Sequence, residues 1–276
     1  MRLSIITINY NNYEGMQKTI DSVISQTFKD FEWIVIDGGS TDGSMELIEQ
    51  YADHISYWVS EPDKGIYNAM NKGVNVAKGE YLQFLNSGDW LVDETALERC
   101  FSHNLVADVL YGDLYLYDNG LKREIVYPEA LTLKIFYRSS LCHQSSFIRR
   151  ELFNDGLYNE GNKIVSDWEF FLRQALNNKS FKHINEFVTC YDLGGISSTN
   201  EELLMVERNK VISGTLPKML VDDYEAMEEW EKLMNDQQIK DVVKLGRKKR
   251  LYHKMITAFL LLLGFIDKLF SKKRVS

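Results

Sequence analysis

Proline is scarce in this chain, with three among 276 residues. Pro-rich linkers and polyproline segments are therefore excluded. Cysteine is equally scarce: Cys100, Cys142 and Cys190 are an odd number and lie far apart. With no CxxC pair, a thiolate zinc site is not expected, and buried thiols in a reducing compartment are the simplest reading. Long apolar runs are missing too. The most apolar stretch, Met255 to Ile266, has twelve residues, short of the roughly 20 that span a bilayer. The opening Met1-Arg2-Leu3-Ser4-Ile5-Ile6 is too brief for the core of an export leader, so none is expected. No GxGxxG follows the first apolar run, which weighs against a dinucleotide-binding dehydrogenase. A nucleotidyltransferase would place a Gly-rich loop with a basic residue there, and that is absent as well.

What is present is an ordinary globular composition: 45% hydrophobic, 26% charged and 12% aromatic. Disorder and collagen-like structure are excluded on that basis. The length allows one or two domains and a sizeable core. The net charge of −8 is unevenly spread. Residues 245–276 carry nine Lys/Arg against one acid, which leaves the rest of the chain at −16. An acidic body is not the footprint of a nucleic-acid binder, so no nucleic-acid partner is expected. The basic tail suits an anionic surface.

Along the first third, two periods alternate. Leu3 to Ile8, Phe31 to Ile36, Ile55 to Val59 and Tyr81 to Leu85 read as buried strands. Between them, Met16 to Ile24, Met45 to Tyr51 and Ile66 to Ala77 have helical spacing, the last closed by Gly79. This alternation predicts an α/β sheet with helices on both faces, whose ligands bind beyond the carboxyl ends of the strands. The polar, Gly-rich segments all fall at those ends. Further on, Val109 to Tyr117, Glu124 to Tyr127, Cys142 to Ile148 and Phe187 to Tyr191 read as strands, and Asp167 to Ala175 as a helix. From Glu201 onward the pattern is helical and charged.

Four motifs bear on chemistry. Asp37-Gly38-Gly39-Ser40-Thr41-Asp42-Gly43 is a turn after the second strand. Glu61 to Gly73 sets two acids, two lysines and several amides around a helix start. Asn86-Ser87-Gly88-Asp89 puts a carboxylate at the crevice mouth, where oxygen-seeking divalent cations shared with a diphosphate would find it. Ser166-Asp167-Trp168 puts an acid in the first turn of a helix, as a general base or only a cap.

Taken in order, these blocks resemble the family 2 glycosyltransferases. The match begins with Ser4-Ile5-Ile6-Thr7-Ile8-Asn9-Tyr10-Asn11, Ser25-Gln26-Thr27 and Glu32 to Gly43. It continues through Gly65 to Gly73 and the Asn86 to Asp89 turn, then His143 to Arg150 and Ser166 to Trp168. The resemblance covers residues 1–200 and is to enzymes that build bacterial capsule, exopolysaccharide or O-chain sugars. It implies a GT-A fold, a Rossmann-like sandwich with a mixed central sheet. Beyond it are expected a charged helical extension over 201–244 and a basic amphipathic helix over 245–276.

The resemblance also implies roles. The donor would be a nucleotide-diphospho sugar, expected to be a UDP-sugar, and the acceptor a glycan or lipid-linked glycan hydroxyl. Thr7, Asn9, Tyr10, Asp37, Asp63, Asn71, Lys72, Asn86 and Ser87 fall in blocks that border the nucleotide, with Tyr10 against the base. Gly38 stands where relatives carry a second acid that can contact the base. Asp89 is the carboxylate left in the metal motif, for Mn²⁺ or Mg²⁺ arriving with the donor. Asp167 matches the acid that removes the acceptor proton in an inverting transfer. His143, Gln144 and Trp168 fall on the acceptor or diphosphate side. His143 reads equally as a structural histidine, Trp168 as a core residue and Lys72 as a solvated one. The Gly194 to Thr199 segment reads as a loop over the diphosphate. A non-catalytic nucleotide-sugar-binding or scaffold protein on the same fold is the alternative, kept alive by the reduced metal motif.

The tail has Arg247-Lys248-Lys249-Arg250 before its apolar run and Lys272-Lys273-Arg274 after it. Such a helix suits the surface of an anionic membrane, and docking on the body or another subunit is the other reading. A cytoplasmic enzyme on the inner face of the cytoplasmic membrane is expected. Oligomer formation is left open.

Overall fold

The structure, a computed structural model, describes residues 1–118, 120–193, 200–237, 239–241, 244 and 250–271. Strand β1 (Leu3–Asn9) shows how the sequence makes its sheet. Leu3 and Ile5 join one apolar cluster, and Ile6 and Ile8 join the other, on the opposite face. Strand β2 (Phe31–Asp37) repeats this, with Trp33 and Val35 on one side and Ile34 and Ile36 on the other. Both faces are covered, so the strands are apolar throughout and not alternating.

Helix α1 (Tyr13–Ile24) carries the chain from β1 to β2, which pair in parallel. Helix α2 (Ser44–Gln50) leads to β3 (Tyr57–Ser60), parallel to β2. Helix α3 (Ile66–Val76) then returns the chain to the other side of β1, where β4 (Tyr81–Phe84) pairs in parallel. The strand order thus reverses at β1, and the crevice beyond its carboxyl end is where such sheets bind ligands.

After β5 (Trp90–Leu91) and helix α4 (Ala96–Ser102) come β6 (Val109–Asp118) and β7 (Leu121–Ile125). Helix α5 (Leu133–Arg138) and β8 (Ser146–Arg149) precede helix α6 (Ser166–Leu176) and β9 (Phe181–Asp192). The order in the sheet is β3-β2-β1-β4-β8-β6-β9-β5, with β7 also on β6. Strand β8 is antiparallel to β4 and β6, while β6 and β9 run parallel, so the sheet is mixed. This is the Rossmann-like sandwich that the motif order implied.

Three details differ from the reading of the sequence. The first is β9, which is twelve residues long and not a short strand. Its register on β6 shifts near Asp113, and such irregularity obscures the period. The second is Gly79, which serves as a space-saver where the sequence marked a helix stop. A Cβ there would lie 2.5 Å from the Leu3 carbonyl carbon and the Ser4 nitrogen. The buried Glu32 carboxylate sits beside it, accepting from Ser4 Oγ at 2.6 Å and from the Gly79 N–H at 3.2 Å. The third concerns the boundary at residue 200.

The first compact unit runs from Met1 to Gly214. It includes most of helix α7 (Glu201–Thr215). Val211 joins the core, and buried Glu207 accepts the N–H groups of Lys163 and Ile164 at 2.8 and 2.9 Å. The helix reads as charged in sequence because few of its residues make this contact. A second unit begins at Thr215 and contains helices α8 (Lys218–Asn235) and α9 (Arg250–Ser271). Residues 194–199, 245–249 and 272–274, named above for the diphosphate loop and the two basic clusters, lie outside the described residues.

Candidate active site

The carboxyl ends of β1, β2 and β4 bring three polar turns together. Asp37 ends β2 and is fully buried. Its Oδ1 accepts from Asn9 Nδ2 at 2.8 Å and Ser40 Oγ at 2.6 Å. Its Oδ2 accepts from Gly39 N, Ser40 N and Ser60 Oγ at 3.1, 2.9 and 2.6 Å. Burial works to raise the pKa of this acid, but the hydrogen bonds from Ser40, Ser60 and Asn9 prevail and hold it below the ordinary carboxylate value. Asp37 therefore fixes the shape of the turn. Asn9 shares in this, and its Oδ1 is buried without a hydrogen-bond partner among the described residues. Thr7 is buried and accepts from Trp33 Nε1 at 3.0 Å, so its hydroxyl faces the core.

Tyr10 is exposed, at 66% of its surface. It flanks a corner built on Gly38. A Cβ on residue 38 would stand 2.6 Å from Asp63 Oδ2 and 3.1 Å from the Tyr10 ring. An aromatic face and a carboxylate thus converge over a bare backbone. Asp63 is held there by the Gly65 N–H, which its Oδ1 accepts at 2.8 Å. Two other residues of this block turn elsewhere. Asn71 is buried and clamps the loop before α6, through the carbonyl and N–H of Tyr158 and the Glu160 carboxylate, at 2.9, 3.0 and 2.9 Å. Lys72 pairs with Glu61 at 2.8 Å and reaches the Pro62 carbonyl at 3.3 Å.

The turn after β4 carries Asn86, Ser87 and Asp89. The Ser87 carbonyl accepts from Asn12 Nδ2 at 3.0 Å. Asp89 is buried, with Oδ2 accepting from Gln144 Nε2 at 2.9 Å and Oδ1 from the Asp192 N–H at 3.3 Å. Burial pushes its pKa up to about 7, against the lowering effects of Gln144 and the charge of His143. A carboxylate offers about four lone-pair positions, so this one keeps some for a ligand. Among the described residues no group of three His, Cys, Asp or Glu could hold a metal ion. The donor set fits a divalent cation that takes one oxygen from Asp89 and the rest from a diphosphate and water, as Mg²⁺ commonly does.

His143, in a short turn before β8, joins the two sides of the crevice. Its Nε2 lies 3.3 Å from Asn86 Nδ2, and its Nδ1 lies 2.9 Å from Asp167 Oδ2. Asp167 Oδ1 accepts from the Tyr67 hydroxyl at 2.8 Å. Burial works to raise the pKa of Asp167, but His143 and Tyr67 outweigh it and lower it. The Tyr67 hydroxyl is in turn pushed far up by burial and by Asp167. Tyr67 does not stand out in the sequence, where its first-turn position in α3 reads as an apolar contact. Trp168 is a correction: it is buried, donates to the Phe136 carbonyl and lies under the Arg208 guanidinium, so it presents no face to an acceptor.

Residues 4–157 match the family described as Glycosyl transferase family 2, more than half of the chain, and the protein belongs to that family. A PGL/p-HBAD biosynthesis glycosyltransferase of Mycobacterium bovis strain BCG is 30% identical over 207 residues, covering 71% of this chain and 79% of that protein. Among solved structures, Staphylococcus aureus TarS 1–349 in complex with UDP-GlcNAc has a TM-score of 0.63 at 19% identity, covering 90% of this chain and 80% of that one. The mannosyltransferase PcManGT of Pyrobaculum calidifontis, in complex with GDP-Man and Mn²⁺, has a TM-score of 0.59 at 13% identity, covering 93% and 83%. These likenesses establish the GT-A fold. The protein is a glycosyltransferase.

Proposed function

We propose that the protein transfers a sugar, with inversion, from a UDP-sugar to a hydroxyl of a glycan or lipid-linked glycan in bacterial surface polysaccharide synthesis. The observation that carries this reading is the bridge through His143. It ties the turn bearing Asn86 and Asp89 to Asp167 across the crevice. A donor seated against Asn86 and Asp89 then presents its anomeric carbon toward the Tyr67–Asp167–His143 cluster. The Tyr10–Gly38–Asp63 corner receives the base, with the ring stacking and the Asp63 carboxylate accepting an N–H from it. A uracil N–H is a suitable donor, which supports a uridine nucleotide.

In the transfer, the acceptor hydroxyl attacks the anomeric carbon from the face opposite the diphosphate. The hydroxyl is a poor nucleophile until its proton is accepted, a contribution of ~10²–10⁴-fold. A divalent cation held by Asp89 would neutralise charge on the departing diphosphate. Asp37, Asn9 and Ser40 keep the β2 turn rigid, and Asn71 and Glu207 fix the loop that presents Asp167.

We further place the enzyme at the inner face of the cytoplasmic membrane. Among the described residues no helix is long and apolar enough to cross a membrane. Helix α9 instead leaves Met255, Phe259, Leu260, Leu261 and Leu262 exposed, between two basic clusters of the sequence. Apolar side chains with flanking Lys and Arg support binding to an anionic lipid surface.

The donor is tested by thermal unfolding against UDP, GDP, CDP and their sugars, with and without Mn²⁺ or Mg²⁺. A ligand at ~100 times its dissociation constant adds ~2.7 kcal/mol, a shift of several degrees. UDP compounds are expected to shift the midpoint, more so with metal. No shift from any nucleotide would overturn the reading.

A further inference from the structure

We propose that Tyr67 is a positioning residue for the transfer. Its hydroxyl, set between Asp167 and the Ile164 carbonyl, donates to the carboxylate before the reaction and to the carbonyl once Asp167 has taken the acceptor proton. This rests on the sugar-transfer reading above, with Asp167 as the proton acceptor. The geometry gives one donor two acceptors. Tyr67 Oη lies 2.8 Å from Asp167 Oδ1 and 2.6 Å from the Ile164 oxygen. A phenol has a single O–H to give, so one of these two contacts always lacks its hydrogen.

The three groups are held in place. The Tyr67 ring is buried and lies against Tyr158, with centroids 5.7 Å apart. Ile164 is anchored by its N–H, which Glu207 Oε2 accepts at 2.9 Å. Asp167 Oδ2 faces His143 Nδ1 at 2.9 Å. That leaves the hydroxyl hydrogen to rotate, and the charge on Asp167 decides where it points. An ionised carboxylate is the stronger acceptor, since charge-assisted hydrogen bonds are roughly twice as strong as neutral ones. A protonated carboxyl loses that advantage, and the hydrogen turns to the carbonyl. Burial and the Asp167 charge push the Tyr67 hydroxyl far above its ordinary range, so it keeps its hydrogen in both states.

Asp167 stays open to the acceptor. Its side chain is 17% exposed, and a carboxylate has about four lone-pair positions. Burial works to raise its pKa, and His143 and then Tyr67 bring it below the ordinary value. The other titratable and charged groups around it are Tyr158 in the loop before α6, Cys142 before β8 and Arg208 of α7. In the reaction, the acceptor O–H proton passes to Asp167 and the acceptor oxygen bonds to the anomeric carbon. The bond from that carbon to the diphosphate breaks, and its electron pair leaves on the nucleoside diphosphate. Tyr67 neither gains nor loses a proton. After product release Asp167 gives its proton to water and the hydroxyl turns back.

Measurements on the full chain test this. In ¹³C spectra, with the carboxyl line assigned through Asp167→Asn, Asp167 should titrate at higher pH in Tyr67→Phe than in wild type. The variant keeps the buried ring, and cooperative thermal unfolding checks its fold. In the wild type, which needs no variant, the Tyr67 Cζ line should move over the pH range in which Asp167 titrates. A flat Tyr67 line, or an Asp167 titration that is unmoved or lowered in Tyr67→Phe, overturns the proposal without reference to any donor. Absence of UDP binding to the wild type by calorimetry sinks the transfer reading, while the titrations still judge the pair.

Turnover is read as UDP released from UDP-GlcNAc or UDP-glucose, whichever the binding screen retains. Tyr67→Phe should keep the donor KM and lose roughly tenfold in kcat at pH 5.5, with less loss at pH 8, because the acidic limb moves to higher pH. A raised donor KM with an unchanged pH profile makes Tyr67 a donor contact and refutes the positioning role.

Discussion

Gly38 and Asp63 compete for one place. Asp63 Oδ2 lies 2.6 Å from the position a Cβ on residue 38 would take. The backbone at 38 is bare, and the carboxylate beside it is that of Asp63, in the segment ahead of α3. Because the obstructing atom is the end of a short side chain, Gly38→Ala should fold normally and displace Asp63. The expected result is a UDP dissociation constant raised about tenfold, ~1.4 kcal/mol, with little change in melting temperature. Unchanged affinity by calorimetry would remove Asp63 from base recognition.

Asp37 predicts an acid-sensitive stability. Its folded pKa lies below the ordinary value, because its hydrogen bonds outweigh burial. Such a group stabilises the fold above the unfolded pKa, roughly 3.9, and that contribution is lost as pH falls through the folded pKa. Asp37→Asn should be less stable by about 2–4 kcal/mol at pH 7. Urea unfolding of the two proteins should converge as the pH drops below about 4. Parallel curves down to pH 3 would show that the ionised carboxylate adds nothing.

Gly79 tests packing rather than chemistry. A methyl group there meets backbone atoms of Leu3 and Ser4, which cannot rotate away. Gly79→Ala should cost about 1–3 kcal/mol, in line with overpacked cores. Its midpoint in urea should fall while UDP affinity in the folded state is kept.

Asp89→Ala should erase the extra thermal shift that Mn²⁺ gives to UDP, leaving any metal-independent shift in place. If the metal effect persists, the cation is held elsewhere.

The tail predicts a sedimentation result. The full chain should pellet with vesicles containing anionic phosphatidylglycerol, less so as salt is raised. Removing 245–276 should abolish pelleting. Equal pelleting after the deletion would refute the membrane reading of α9.

The sequence by itself determined the sheet's parallel half and the strand ends at which its polar turns gather. Buried strands such as Leu3–Asn9 and Phe31–Asp37 carry apolar side chains on both faces, and that signal is local. Their polar ends mark the crevice for the same reason. Tertiary structure decided which of those polar residues face it. Asn71 and Asp37 look like ligand residues in sequence, yet their partners, Tyr158 and Ser60, are brought by other elements. Tyr67 and His143 meet Asp167 from 100 and 24 positions away. Trp168 turned into the core because α5 and α7 cover it. Hydrogen bonds between distant segments leave no period in the chain, so only the folded arrangement could assign them.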